Sequence, residues 1–113
     1  MELQYYELDN KIRFIKLVGK VDADGYNSVD LKFTAHCSGD NVRVIVDLSG
    51  VDFLASIGIR MLTMNAKSLS TRSGRMVLLN PIPEVLDVLE MTGIPAVIPI
   101  YSAQESAETV LLA

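Results

Sequence analysis

The sequence predicts an α/β fold: one domain over residues 1–113, with a mostly parallel central sheet of about five strands and about four helices. Two observations favour this class. Short apolar runs, typical of buried strands, alternate with longer segments whose apolar residues recur at helical spacing. The first two runs are separated only by turn residues, which predicts an opening hairpin. The later strands have helices between them, which requires parallel crossover connections.

The predicted strands cover residues 2–8, 11–19, 42–48, 76–79 and 96–100. The third and fourth runs are apolar without a polar face, as expected of strands buried on both sides. Turn signals, Gly19 to Asp22 and Ser49-Gly50, are expected to end the second and third strands. Pro95 and Pro99 lack a backbone N–H, so we expect the last strand to lie at an edge of the sheet or to fray.

Three of the predicted helices cover residues 25–37, 56–69 and 102–112. The other, third along the chain, is predicted to begin within residues 80–83 and to end at residues 92–93. Asp22 or Asp24 is expected to cap the first helix, and Ser56 the second. Ser102 and Glu105 have the spacing of a capping box at the start of the fourth. In the third helix, the residues predicted to face inward are Val85, Leu86, Leu89 and Met91.

The second helix carries two apolar strips. The strip predicted to face the core comprises Ile59, Leu62, Ala66 and Leu69. A second strip, flanked by Arg60 and Lys67, comprises Ile57, Met61 and Met64. Methionine is common at adaptable binding surfaces, so this strip is either a contact surface or is buried against the next helix.

Composition and charge exclude several classes of protein. The chain has a formal net charge of −4 and no basic stripe, which argues against nucleic-acid binding. No apolar run approaches the roughly 20 residues that span a bilayer, and we expect no signal peptide. With Cys37 the only cysteine and His36 the only histidine, neither an internal disulfide nor a metal cluster is predicted, and no cofactor is expected. These features favour the cytoplasm.

No enzyme motif is present. The glycines lack the spacing of nucleotide-binding loops, and Ser56 lacks the Gly-x-Ser-x-Gly context of a hydrolase nucleophile. Asp47 and Asp52 have no third ligand for a metal, so we expect them to accept hydrogen bonds from loop N–H groups. A small α/β enzyme that uses Cys37 or Ser56 is only a distant alternative.

Residues 47–59 resemble the signature of the STAS family, the anti-sigma factor antagonists and their relatives. The family sequence is Asp-Leu-Ser-x-Val-x-Phe-Met-Asp-Ser-Ser-Gly-Leu, and this chain has Asp-Leu-Ser-Gly-Val-Asp-Phe-Leu-Ala-Ser-Ile-Gly-Ile. Residues 19–22, 89–94 and 101–107 are similar to three further family segments in the same order. Two positions depart from the signature: Ala55 stands at the motif Asp, and Ile57 stands at the serine that family kinases phosphorylate.

The resemblance implies a protein that binds an anti-sigma factor kinase through the loop 52–58 and the helix 57–67. The expected contact or switch residues are Asp22, Asp52, Ser56, Ile57, Gly58, Arg60, Met61 and Met64. Ser56 is either a helix cap or a phosphorylation site, and Asp22 is either a cap or part of the switch region. An alternative is a STAS-type accessory subunit of a transporter ATPase complex, and a homodimer is also open.

Overall fold

A five-stranded sheet with the strand order β1-β2-β3-β4-β5 organises the computed structural model, which describes residues 1–113. The strands are β1 (Glu2–Glu7), β2 (Arg13–Val21), β3 (Arg43–Leu54), β4 (Arg75–Leu79) and β5 (Ile100–Tyr101). The helices are α1 (Ala23–His36), α2 (Ser56–Ser70), α3 (Pro83–Met91) and α4 (Gln104–Leu112).

Strand directions follow from the connections. β1 and β2 form an antiparallel hairpin in which Tyr5 lies opposite Ile15, and all later neighbours are parallel. The predicted fold class, an opening hairpin followed by a largely parallel sheet with four helices, is confirmed.

Side-chain alternation along the strands separates two hydrophobic cores. Val44, Val46 and Leu48 of β3 face the larger core, which also contains side chains of α1, α2 and α3. Ile45 points to the opposite face and packs with residues of α4, including Leu111. The apolar runs of the central strands therefore bury both faces of the sheet, as predicted.

The turn signal at Ser49-Gly50 does not end β3, so that prediction is wrong, whereas β2 ends at Val21, within the predicted signal Gly19 to Asp22. β3 continues through Ser49 and Gly50 to Leu54, and β2 continues past Gly19 to Val21. The pairing is instead irregular, with register shifts between Lys16 and Val18 and between Gly19 and Lys20. At Gly50 the two strands approach so closely that a Cβ atom would lie 3.0 Å from the carbonyl oxygen of Leu17. The glycine permits this approach without a turn.

The last strand is shorter and later than predicted. Residues Ile94–Ala96 form a 3₁₀ turn, and β5 contains only the half-buried Ile100 and Tyr101. The N–H groups of Val97 and Ile98 both donate to the carbonyl of Ile94, at 2.8 Å each. These bonds, together with prolines that cannot donate to a ladder, keep residues 95–98 out of the sheet.

Two further details at the ends of helices are wrong. The N-cap of α4 is Ala103 rather than Ser102, and no side chain caps this helix, so the capping box does not form. Met91, at the end of α3, is 86% exposed, while Val85 and Leu89 are buried as predicted.

The buried stripe of α2 is rotated relative to the predicted stripe. Leu62 and Leu69 are fully buried, but Ile59 and Ala66 are only half-buried at the edge of the core. The buried residues of α2 are Gly58, Met61, Leu62, Asn65 and Leu69. Asn65 lies in this stripe because its Nδ2 donates to the carbonyl of Met61 at 2.8 Å, which satisfies the buried amide.

None of the helices has the length and apolar character required to cross a membrane.

The burial of α2 predicts a contrast between two neighbouring positions. Leu62→Ala should lower the free energy of unfolding by about 2–5 kcal/mol, because it leaves a cavity in the place of the fully buried leucine side chain. Arg60→Ala should change it by less than about 0.5 kcal/mol, because Arg60 is exposed. Urea denaturation of both variants measures the difference, and equal losses would contradict the assigned helix orientation.

Candidate functional site

The carboxyl ends of β2 and β3 meet the start of α2. Val21 lies opposite Leu54 in the parallel register, and the N–H of Ala55 donates to the carbonyl of Val21 at 3.0 Å. A single residue, Asp22, separates Val21 from the first residue of α1. The starts of α1 and α2 are therefore held beside each other by the strands that precede them.

Gly58 allows the first turn of α2 to rest on these two strands. A Cβ atom at this position would lie 2.6 Å from both Leu54 Cδ1 and Val21 Cγ1, and 3.1 Å from Val21 Cβ. A β-branched valine has little freedom to move away. The glycine that matches the STAS signature is thus required by packing, and any side chain here would displace α2.

Ser56 is not the cap that the sequence predicted. The N-cap of α2 is Ala55, and no side chain accepts a hydrogen bond from the first turn. Ser56 is the first helical residue and is exposed. Because the first turn also contains no acidic residue, its free N–H groups and the positive end of the helix dipole are uncompensated.

Asp22 caps α1. Its Oδ1 accepts a hydrogen bond from the N–H of Gly25 at 2.8 Å, and its backbone is extended as N-caps are. The choice between Asp22 and Asp24 is therefore settled in favour of Asp22, which does not line the groove described next.

A groove of about 510 Å³ runs between α1 and α2. It joins residues of both helices that are far apart in the sequence. Its lining residues are Tyr26, Asp30, Thr34, Ile57, Arg60, Met61, Met64, Asn65 and Ser68. Four of the residues singled out from the sequence thus come together in one place, namely Ile57, Arg60, Met61 and Met64.

The second apolar strip of α2 is only partly available for contact. Met61 is 3% exposed and belongs to the main core, so its expected place on an outward surface is wrong. α1 packs beside α2 and covers this side chain. Met64 is 60% exposed and Ile57 is half-buried, so these two provide the apolar surface of the groove.

α1 supplies the polar wall of the groove, which the sequence reasoning missed. Tyr26, Asp30 and Thr34 recur every four residues and so lie along one side of the helix. Asp30 raises the pKa of the Tyr26 phenol, chiefly through a hydrogen bond, so Tyr26 remains neutral near pH 7. The recurrence of these polar side chains every four residues was the signal in the sequence that could have indicated this wall of the groove.

The two carboxylates of β3 have separate environments. Asp47 is nearly buried, and its Oδ1 accepts a hydrogen bond at 2.9 Å from the N–H of Ser49, which belongs to β3 rather than to the predicted loop. Asp52 is exposed and its side chain makes no hydrogen bond within the protein, so the predicted loop bond is absent there. No cluster of three or more histidine, cysteine, aspartate or glutamate side chains is suited to holding a metal ion.

Cys37 and His36 lie at the end of α1, away from the groove. Burial raises the pKa of the Cys37 thiol to about 12, so almost none is present as the nucleophilic thiolate at pH 7. His36 stacks on Tyr5 with 3.7 Å between ring centroids, and partial burial lowers its pKa. This environment therefore does not activate the Cys37 thiol as a nucleophile.

Comparison with known proteins gives a consistent result. The STAS domain matches residues 5–107 of this chain. A curated relative is BtrV of Bordetella bronchiseptica, which carries a provisional name as an anti-sigma factor antagonist. It is 29% identical over 91 residues, which cover 80% of this chain and 78% of BtrV.

Two solved structures share the fold. An anti-sigma factor antagonist from Mycobacterium paratuberculosis superimposes with a TM-score of 0.87 at 20% identity, over 99% of this chain and 94% of that one. The phosphorylated form of SpoIIAA, a cell fate determinant of Bacillus, gives a TM-score of 0.72 at 21% identity, over 96% and 99% of the two chains. At these identities the likeness shows the fold only.

The unequal roles of Asp22 and Ser56 at the starts of their helices predict unequal effects on stability. Asp22→Ala should lower the free energy of unfolding by about 1 kcal/mol, because the N–H of Gly25 loses its acceptor. Ser56→Ala should change it by no more than about 0.5 kcal/mol, because no cap bond is lost. Thermal and chemical denaturation check both values, and a larger loss for Ser56→Ala would restore Ser56 as a cap.

Proposed function

The chain belongs to the STAS domain family, and from this membership we propose that it is an anti-sigma factor antagonist that binds an anti-sigma factor kinase. The groove between α1 and α2 is the observation that supports this role best. It joins the STAS signature at the start of α2 to a partly apolar surface.

The proposed contact surface has three chemical parts. Met64 and Ile57 provide apolar area, and Arg60 and Asp30 provide charges of opposite sign. At the start of α2, the uncapped N–H groups are free to donate to acceptors on a partner. Exposed apolar side chains surrounded by polar ones are typical of protein contact surfaces.

Phe53 extends this surface beyond the groove. Its ring is 48% exposed, and the Lys20 Nζ lies 6.0 Å from the ring centroid. Phe53 and Lys20 are opposite each other at the ends of β3 and β2. We include Phe53, together with Asp52, at the edge of the proposed contact, because both are exposed at the end of β3 that leads into α2.

We further propose that the domain is not switched at the usual family position. In the signature, phosphorylation adds about −1.5 to −2 charges at the second serine and disrupts binding by repulsion and desolvation. Here Ile57 has no hydroxyl, and Ala55 also removes the motif carboxylate. Ser56 is exposed one residue earlier and is the remaining hydroxyl for a kinase that tolerates the shift.

In this role the protein acts by binding rather than by catalysis, and it works in the cytoplasm beside the transcription machinery. The alternative predicted from the sequence, an accessory subunit of a transporter ATPase complex, would use the same surface. No specific observation favours it.

The contact surface predicts that Ile57→Asp weakens partner binding while the domain remains folded. Aspartate in the first turn of a helix is favoured by the helix dipole, so stability should not fall. Buried in an interface, the carboxylate should weaken binding at least ten-fold, which is about 1.4 kcal/mol. Isothermal titration against each anti-sigma factor kinase of the source genome measures this change.

Met91→Asp is the matched control, because Met91 is an exposed apolar residue of α3 outside the groove. It should bind as the wild type does. Equal losses in both variants would contradict the assigned surface. If none of the kinases binds the wild type with a Kd below about 100 µM, the proposed function itself is contradicted.

The motif departures predict the result of a phosphorylation assay. After incubation with the kinase and ATP, mass spectrometry should find no phosphate on residues 52–60, and binding should be unchanged. Phosphate on Ser56 that abolishes binding would contradict the unswitched proposal and identify Ser56 as a displaced switch. Ser56→Ala is the control, because it removes the only hydroxyl in that segment.

A further inference from the structure

Four of the five arginines lie at one end of the sheet, opposite the start of α2. Arg13, Arg43 and Arg75 are the first residues of β2, β3 and β4, and Arg72 lies in the loop that leads into β4. The fifth, Arg60, lines the groove. Parallel strands bring their first residues to the same edge, so positive charge is concentrated at the amino end of the sheet. This contrasts with the net charge of −4.

The protein uses only one of these four guanidinium groups. Arg13 Nη1 donates to the carbonyls of His36 at 2.9 Å and Ser38 at 3.0 Å, where it neutralises the negative end of α1. Arg43, Arg72 and Arg75 are exposed, and their side chains donate no hydrogen bond to the protein. Their donors are therefore available to a ligand.

Arg43 and Arg75 are in direct register on neighbouring strands. Because side chains alternate, both extend on the face that carries Ile45 and Val77. Two like charges placed opposite each other weaken strand pairing. The acidic residue that precedes Arg43 most closely in the sequence is Asp40, and it lies in the preceding loop rather than on a strand beside the two arginines. The fold therefore carries a repulsive pair that a bound anion would relieve.

Backbone hydrogen bonds hold the two arginine-bearing segments together. The N–H of Asn41 donates to the carbonyl of Arg72 at 2.8 Å, and the N–H of Arg75 donates to the carbonyl of Val42 at 3.0 Å. Asn41 and Ser73 have positive φ angles of 58° and 61°, which non-glycine residues seldom adopt. The arginines are thus displayed from a fixed backbone.

We propose that Arg43, Arg72 and Arg75 form a docking site for an acidic segment of a partner protein. Guanidinium groups match carboxylates through paired hydrogen bonds, and side chains of aspartate or glutamate placed between the arginines would relieve their repulsion. The negative charge of the rest of the molecule opposes a long polyanion or an anionic membrane more than it opposes a short acidic segment. The site lies at the opposite end of the sheet from the start of α2, so it is independent of the proposed function.

A hexaglutamate peptide is a suitable probe, followed by ¹⁵N–¹H NMR of the full chain at low salt. Amide shifts should concentrate at residues 41–43 and 72–75 and should shrink at about 0.3 M salt. A hexaglutamine peptide of equal length should cause none. The double variant Arg43→Glu with Arg75→Glu should weaken binding at least ten-fold.

Two controls separate this site from general charge effects and from the groove. Lys20→Glu with Lys32→Glu makes the same change in net charge at two exposed positions outside the proposed site and should alter binding less than two-fold. Ile57→Asp should leave peptide binding unchanged, which keeps this test distinct from that of the proposed function. Arg43→Glu by itself should lose peptide affinity with an equal or higher Tm, because it places opposite charges in register.

Several results would overturn the proposal. These are an absence of shifts up to about 5 mM peptide, equal losses in the two double variants, and tighter binding of an RNA of about 20 nucleotides or of anionic vesicles than of the acidic peptide.

Discussion

The close contact between the first turn of α2 and the ends of β2 and β3 determines the geometry of the functional end of the molecule. Gly58 lies directly against Val21 and Leu54, and the hydrogen bond from Ala55 to Val21 ties the approach to the strand. Because only Asp22 separates β2 from α1, the same contact sets the spacing of α1 and α2. The groove between them exists only at this spacing, since a bulkier first turn would move α2 outward.

The sequence predicted the fold well where a pattern reports burial directly. The β-branched run in β3 could only be a strand covered on both faces, and the structure provides a helical layer on each side. Local signals were less reliable because tertiary contacts override them. Ser49-Gly50 resembles a turn, yet the glycine serves close packing of two strands. The predicted buried stripe does not include Asn65, because the hydrogen bond from its side-chain amide to a backbone carbonyl cannot be seen in the sequence.

The site was predicted less completely, for a physical reason. The resemblance located the loop and the start of α2, since those residues are contiguous. The opposite wall depends on how α1 lies against α2, which no local pattern encodes, so Tyr26, Asp30 and Thr34 were missed. The same packing removes Met61 from the surface. Periodicity gives the direction of a side chain around its own helix, whereas the neighbour that covers it is set by topology.

The buried thiol of Cys37 has a practical consequence for spectroscopy. It is the only cysteine, and with a pKa of about 12 it reacts slowly with maleimide reagents near neutral pH. A single cysteine introduced at an exposed position, such as Ser68 at the rim of the groove, would therefore be labelled selectively without first removing the native one. A fluorophore or spin label placed there would report the arrival of a binding partner in real time. The native Cys37 side chain would remain in the core beside α1.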